Sequence, residues 1–151
     1  MSLARHSTPR SQRVECLSTH DPHDIAAALL AKARGDEAGL GALVDREDVP
    51  DHVPGFLAQQ AVEKAIKAVL TARGATYDRS HDLEYLCGLV EDTGLHPTPE
   101  LRKAVSLTPW AVDARYAGPF DAPALDRKDT MQIVSAVLAW AAETIRYPPD
   151  D

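Results

Sequence analysis

The stretch GFLAQQAVEKAIKAVLTARG, residues 55–74, decides the fold of this chain. Its apolar residues recur at the three- and four-residue steps of an α-helix and form a wide stripe along one side. The stripe has two adjacent rows, namely Leu57, Ala61, Ala65 and Ala68 in one and Val62, Ile66, Val69 and Leu70 in the other. We expect the helix to stop at Gly74, because glycine accommodates the backbone that ends a helix.

The polar side of this helix has two edges, since neighbouring residues differ by about 100° around a helix axis. Gln60 and Lys64 share one edge. Gln59, Glu63 and Lys67 share the other, where Glu63 and Lys67 form an i,i+4 pair in the favourable order. Two interpretations stay open for these residues: a solvated face, or a face of which one edge lines a cleft or an interface.

Length and composition indicate one globular domain. The chain has 151 residues, of which 44% are hydrophobic and 26% charged. Its formal net charge of -7 argues against sequence-independent coating of nucleic acid, which depends on neutralising phosphates, but allows a local basic cleft. With no signal peptide and no run of about 18 apolar residues, we expect a cytoplasmic protein without a membrane segment.

Cysteine and histidine spacing favours no metal site. The two cysteines, Cys16 and Cys87, are far apart in sequence and belong to no CxxC or Cys/His ligand pattern. Cys87 lies among apolar residues, so we interpret it as a buried thiol. We expect neither a metal nor a cofactor.

A first helix is predicted from DPHDIAAALLAKARG, residues 21–35, with Asp21 as its cap and Pro22 in its first position. Gly35, Gly39 and Gly41 then predict either a frayed continuation or a break. Residues 36–51 hold six acidic residues and one basic residue, and we interpret them as an exposed acidic connection.

Three further segments are predicted to be helical. SHDLEYLCGLVEDTG, residues 80–94, predicts a helix capped by Ser80. The pairs Thr98-Pro99 and Thr108-Pro109 each predict a helix start, with a bend near Pro109. The segment after Asp126 predicts a long final helix whose wide apolar surface is central in the fold or lies against a second chain.

The helices together predict an all-α protein, a four- to five-helix up-and-down bundle over residues 21–147. We expect residues 1–20 to be a flexible N-terminal arm and residues 148–151 to be a short tail.

Three segments and the final helix carry a family resemblance. FLAQQAVEKAIKAVL (residues 56–70), HDLEYL (81–86) and TPWAVDARYAGP (108–119), followed by the apolar final helix, resemble the HEPN family over roughly residues 22–146. The run Gln-Gln-Ala-Val-Glu-Lys is the most specific part because it fixes both faces of its helix. The resemblance implies an α-helical bundle that is usually dimeric, with a polar cleft at or near the dimer interface.

Within the family the resemblance implies two kinds of protein. Some members are RNases, often toxins paired with a minimal nucleotidyltransferase, and others are nucleotide-binding or interaction modules. The RNases carry an arginine followed, after four to six residues, by a histidine. No histidine follows Arg115, where the motif is expected, and the spacing occurs only as Arg13…His20 and Arg46…His52, which is close to the roughly one match expected by chance.

The predicted ligand-binding residues are Gln60, Lys64, Lys67, His81, Asp82 and Arg115. His81 stands beside a predicted helix start, where amides and the helix dipole favour anions, or is a plain exposed residue of the first turn. Arg115 ends a predicted helix, and a favourable interaction with the helix dipole is its alternative role.

We favour a homodimeric HEPN-type module, joined through the final helix, that binds a nucleotide, an RNA or a partner protein such as a nucleotidyltransferase and lacks the nuclease motif. A competing hypothesis is an RNase toxin in which His81 acts with Arg79 or Arg115 across the dimer, as base and as cation for the phosphorane charge. A third is a structural adaptor without a small-molecule site.

Overall fold

The computed structural model describes residues 21–111 and 124–147, and every regular element in these two ranges is helical. The elements are α1 (Pro22–Leu43), α2 (His52–Ala72), α3 (Leu83–Asp92), α4 (Pro99–Ala104), a 3-10 helix (Val105–Trp110) and α5 (Arg127–Arg146). The predicted all-α bundle of four to five helices is confirmed. The predicted arm 1–20, the predicted tail 148–151 and Arg115 lie outside the described residues.

Helix α2 is the centre of the bundle, in contact with α1, α3, the 3-10 helix and α5. Except for Leu57, which is partly buried, every residue of the two predicted apolar rows is fully buried. Burial of a Val, Leu or Ile side chain stabilises a fold by roughly 1.5–3 kcal/mol, so this stripe accounts for much of the hydrophobic driving force. None of the described helices is both long enough and apolar enough to cross a membrane.

Helix α1 continues to Leu43 without the break that was one of the two possibilities left open by Gly35, Gly39 and Gly41. Tertiary packing overrides the low helix propensity of glycine here: Leu40 is fully buried, and a Cβ on Gly39 would lie 3.2 Å from Leu57 Cδ1. The prediction that residues 36–51 are an exposed connection is therefore wrong for its first half. Asp36, for example, lies on α1 and forms an ion pair with Lys64 of α2.

Two predicted helix starts are also corrected. Helix α3 is capped by Asp82, which accepts hydrogen bonds from the backbone of Glu84 and Tyr85, and not by Ser80. Thr108 starts no α-helix, because its hydroxyl accepts a hydrogen bond from the backbone of Leu83 and Pro109 lies inside the 3-10 helix. The predicted cap Asp21 is observed, a helix begins at Thr98-Pro99 as predicted, and the final helix follows Asp126.

Helix α5 buries its apolar surface within its own chain, against α1, α2 and α4. Val134, Val137, Leu138 and Ala141 are buried there. The wide apolar surface of this helix therefore needs no second chain to explain it. A homodimer joined through α5 stays a prediction.

Gly55 and Gly35 give a matched pair of substitutions, because both glycines lie inside helices. A Cβ on Gly55 would lie 2.5 Å from ring atoms of the buried Trp110, whereas one on Gly35 would meet nothing within 4 Å. We expect Gly55→Ala to lower the free energy of unfolding by roughly 1–3 kcal/mol through overpacking. Gly35→Ala should raise it by roughly 0.5–1 kcal/mol through helix propensity. Urea unfolding measures both, and equal stability of the two variants would contradict the packing of Trp110 on α2.

Candidate functional site

The segment after α2 folds back along that helix, and this brings His81 beside the middle of α2. The backbone reverses at Gly74, which has a φ of 71°, while Ala75 N–H donates to the Leu70 carbonyl. The Tyr77 hydroxyl then lies 3.1 Å from the Thr71 hydroxyl and ties the returning chain to α2. A glycine is needed at residue 74, since a left-handed backbone is costly for other residues.

Glu63 of α2 is the hub of a buried polar cluster. Its side chain is only 6% exposed. Its carboxylate accepts hydrogen bonds from Gln59 Nε2 at 2.8 Å and from Lys67 Nζ at 2.7 Å. His81 Nδ1 lies 3.0 Å from Glu63 Oε2, and Gln60 Nε2 lies 3.4 Å from the same oxygen. We call these five residues the Glu63 cluster.

The Glu63 carboxylate is ionised in this setting. Burial by itself would raise the pKa of Glu63, but the hydrogen bonds from Lys67, Gln59 and His81 outweigh burial and lower the pKa below its ordinary value. A buried charge costs several kcal/mol unless donors surround it, and here they do. The cluster is therefore held together by a negative charge that the protein has removed from water.

The two polar edges of α2 differ in burial. The edge with Gln59, Glu63 and Lys67 is the inner one: Gln59 is fully buried, and the Lys67 side chain, 14% exposed, has its ammonium group 5.7 Å from the centre of the Tyr77 ring. The edge with Gln60 and Lys64 is half-buried, and Lys64 forms its ion pair with Asp36. Both edges are thus engaged by the protein itself.

The N-terminus of α3 offers no free amides to an anion. Asp82 accepts from the backbone of Glu84 and Tyr85, and Thr108 accepts from that of Leu83. The expectation that helix-end amides favour a phosphate beside His81 is therefore wrong, because side chains already satisfy these donors. Asp82 itself acts as a helix cap.

His81 is the most exposed residue of the Glu63 cluster, with 55% of its side chain exposed. Arg79 is exposed two residues earlier. Of the predicted ligand-binding residues, the fold brings together Gln60, Lys67 and His81, while Lys64 is turned to α1 and Asp82 to the start of α3. An imidazole held by a carboxylate can accept or release a proton, or hydrogen-bond a ligand, at its other nitrogen.

Sequence reasoning underestimated Glu63 and Gln59, which are the buried members of the cluster. The available signal was the successive i,i+4 spacing from Gln59 to Glu63 and from Glu63 to Lys67, next to two apolar rows. Spacing alone does not tell a solvated polar edge from a buried one. The edge with Glu63 is buried because His81, 18 residues later in sequence, lies against Glu63.

Two clefts of about 430 Å³ each lie away from His81. One is between α3 and α4 and includes Cys87, Glu91 and Arg102 in its lining. Burial raises the pKa of the Cys87 thiol to about 11, so that thiol is a poor nucleophile. The other cleft lies beside Arg127, whose guanidinium already donates hydrogen bonds to Asp51 and to backbone carbonyls.

Among the described residues, no group of three or more His, Cys, Asp or Glu side chains could hold a metal.

Glu63→Gln tests whether the buried charge stabilises the fold. We expect a loss of about 2 kcal/mol in the free energy of unfolding at pH 7, because Lys67 loses its ion-pair partner. Because the pKa of Glu63 is lowered in the folded state, its contribution is fully present above its ordinary pKa of 4.5 and is lost as the pH falls through the lower folded value.

The measurement is chemical unfolding between pH 3 and pH 7. The difference between wild type and Glu63→Gln should shrink below about pH 4.5. Glu84→Gln, which changes an exposed glutamate of α3, is the matched control and should be close to neutral. A difference that grows at low pH would contradict an ionised Glu63.

Comparison with known protein families agrees with this architecture. The model of the HEPN domain matches residues 42–145, which is more than half of the chain and includes α2 to α4, all but the last residue of α5, and the whole Glu63 cluster. Comparisons with curated proteins and with solved structures returned no match. On the fold and the family match together, this chain belongs to the HEPN family.

Proposed function

We propose that this protein is a HEPN-type binding module that holds a nucleotide on the surface around His81 and does not cleave RNA. The observation that carries the proposal is the state of His81, whose ring is fixed by Glu63 on one side while more than half of its side chain is exposed. A preorganised, half-exposed aromatic ring suits a ligand, because little conformational freedom is lost on binding.

The groups around His81 suit a single nucleotide better than a long RNA. Imidazole rings stack on bases and hydrogen-bond to sugars, and the exposed Arg79 supplies one cation for a phosphate. Lys67 is mostly buried and already neutralised by Glu63, so it adds little positive charge. A single exposed cation beside His81 among the described residues, on a chain of net charge -7, gives weak attraction to an extended phosphate backbone.

An RNase is the second candidate, and the pair Glu63–His81 is the observation that favours it. A carboxylate that orients a histidine is an arrangement that general bases use. Against it stands that no exposed cation beside His81 is held in place among the described residues, and Arg46, in one of the two chance motifs, is hydrogen-bonded to the exposed Asp48. A phosphorane charge needs a donor held in place, and Arg79 has no such contact among the described residues.

Nucleotide binding is tested by calorimetric titration with ATP. We expect saturable binding that His81→Ala weakens about tenfold, the loss expected when a ligand hydrogen bond is removed. His96→Ala is the matched control, because His96 is also exposed but lies beyond the other end of α3, and this variant should bind ATP as the wild type does. Equal weakening by both substitutions, or no binding by the folded wild type, would contradict the proposal.

The same three proteins separate binding from cleavage. We expect mixed cellular RNA to stay intact after incubation with wild type in the absence of metal. Cleavage that is lost in His81→Ala and kept in His96→Ala would instead establish the RNase candidate.

We further propose that the module is a homodimer, for which the partly exposed apolar residues Ile133, Trp140 and Ile145 of α5 offer a surface. Sedimentation of the wild type at the ligand-binding concentration tests this, and a monomer would contradict it.

A further inference from the structure

The contact between Glu63 and His81 decides which nitrogen of the neutral imidazole carries the hydrogen. Glu63 is ionised, so its carboxylate only accepts hydrogen bonds. His81 Nδ1 lies 3.0 Å from Glu63 Oε2 and 3.2 Å from Oε1. The neutral ring therefore carries its hydrogen on Nδ1 and has a free lone pair on Nε2.

The position of His81 is fixed as well as its tautomer. Gln59 Nε2 donates to the backbone carbonyl of His81 at 3.2 Å, so the same helix holds both the main chain and the ring. The Glu63 carboxylate is itself held by Gln59 and Lys67, at 2.8 and 2.7 Å. Glu63 therefore cannot rotate away without losing its other hydrogen bonds, and the main chain of His81 is held beside it.

We infer that the neutral His81 ring meets its ligand through Nε2 as a hydrogen-bond acceptor, and that the ligand atom on it is a donor: a ribose hydroxyl or a base N–H of a nucleotide, and not a phosphate oxygen. The ligand half of this inference rests on the proposed function, whereas the tautomer rests on the geometry alone. Glu63, at 6% exposure, touches no ligand and is a positioning residue that acts through His81.

Glu63→Gln should convert His81 from the single Nδ1–H tautomer into a mixture of the Nδ1–H and Nε2–H tautomers. A glutamine at residue 63 keeps the shape of the side chain, but its amide can donate to Nδ1 as well as accept from it. The Nε2–H form of His81 is then no longer excluded. A purely structural role for Glu63 would lower stability without altering the tautomer.

The tautomer is read directly by nitrogen NMR of the imidazole rings in the full chain at pH 8, where an ordinary histidine is neutral. We expect Nδ1 of His81 to carry the hydrogen in wild type, and Glu63→Gln to shift the ring toward the Nε2–H form. The exposed His96 is the internal reference and should be the same in both proteins. His81 found with its hydrogen on Nε2 in the wild type, or unchanged by Glu63→Gln, would overturn the inference.

The donor is identified by titrating wild type and His81→Ala with ATP, 2′-deoxy-ATP, 3′-deoxy-ATP and ITP at pH 8. These analogues remove, in turn, the 2′-hydroxyl, the 3′-hydroxyl and the exocyclic amine. One of them should bind the wild type about tenfold more weakly than ATP does, and this difference should vanish in His81→Ala. Equal binding of all four by the wild type would refute a donor on Nε2.

The NMR measurement and the nucleotide titrations test different parts of the inference, so one can contradict it without the other. If the wild type binds none of the four nucleotides, the proposed function is wrong and so is the donor assignment, while the NMR result still decides the tautomer. If nucleotides bind but His81 carries its hydrogen on Nε2, the proposed function stands and the role given to Glu63 is wrong.

Discussion

The buried carboxylate of Glu63 is the interaction on which the candidate site depends. Its charge is stable only because Gln59, Lys67 and His81 surround it with donors, and those donors come from α2 itself and from the chain that returns along α2. Removing one partner from such a cluster leaves a buried group unsatisfied, which costs more than the net contribution of the hydrogen bond it made. The position of His81 is therefore a consequence of satisfying Glu63.

The bundle could be predicted from residues that act locally or through periodicity. The apolar rows of α2, the helix start at Thr98-Pro99 and the final helix after Asp126 are observed where they were expected. The predictions that were wrong concern features that depend on contacts between residues distant in sequence. Ser80 and Asp82 are both good caps, and the hydrogen bond between Leu83 and Thr108, 25 residues apart, accompanies a start at Asp82. Gly39 is tolerated in α1 because it lets that helix approach Leu57.

The candidate site was predictable only in part for the same reason. His81 and Lys67 were identified by residue type and position, and the fold does bring them together around Glu63. That Glu63 is buried, while Lys64 is occupied by Asp36, follows from how α1 and the returning chain cover α2. A hydrophobic pattern locates the core face of a helix but does not show which polar neighbours the core will also enclose.

A double-mutant cycle on Glu63→Gln and His81→Ala, followed by urea unfolding at pH 7, tests whether Glu63 holds His81 in place. The cycle measures the interaction free energy between the buried carboxylate and the imidazole, because the contributions that each residue makes through its other contacts cancel. We predict a coupling free energy of about 1 kcal/mol or more in favour of the wild-type pair. Strict additivity, with a coupling below about 0.3 kcal/mol, would mean that Glu63 does not hold His81 in place.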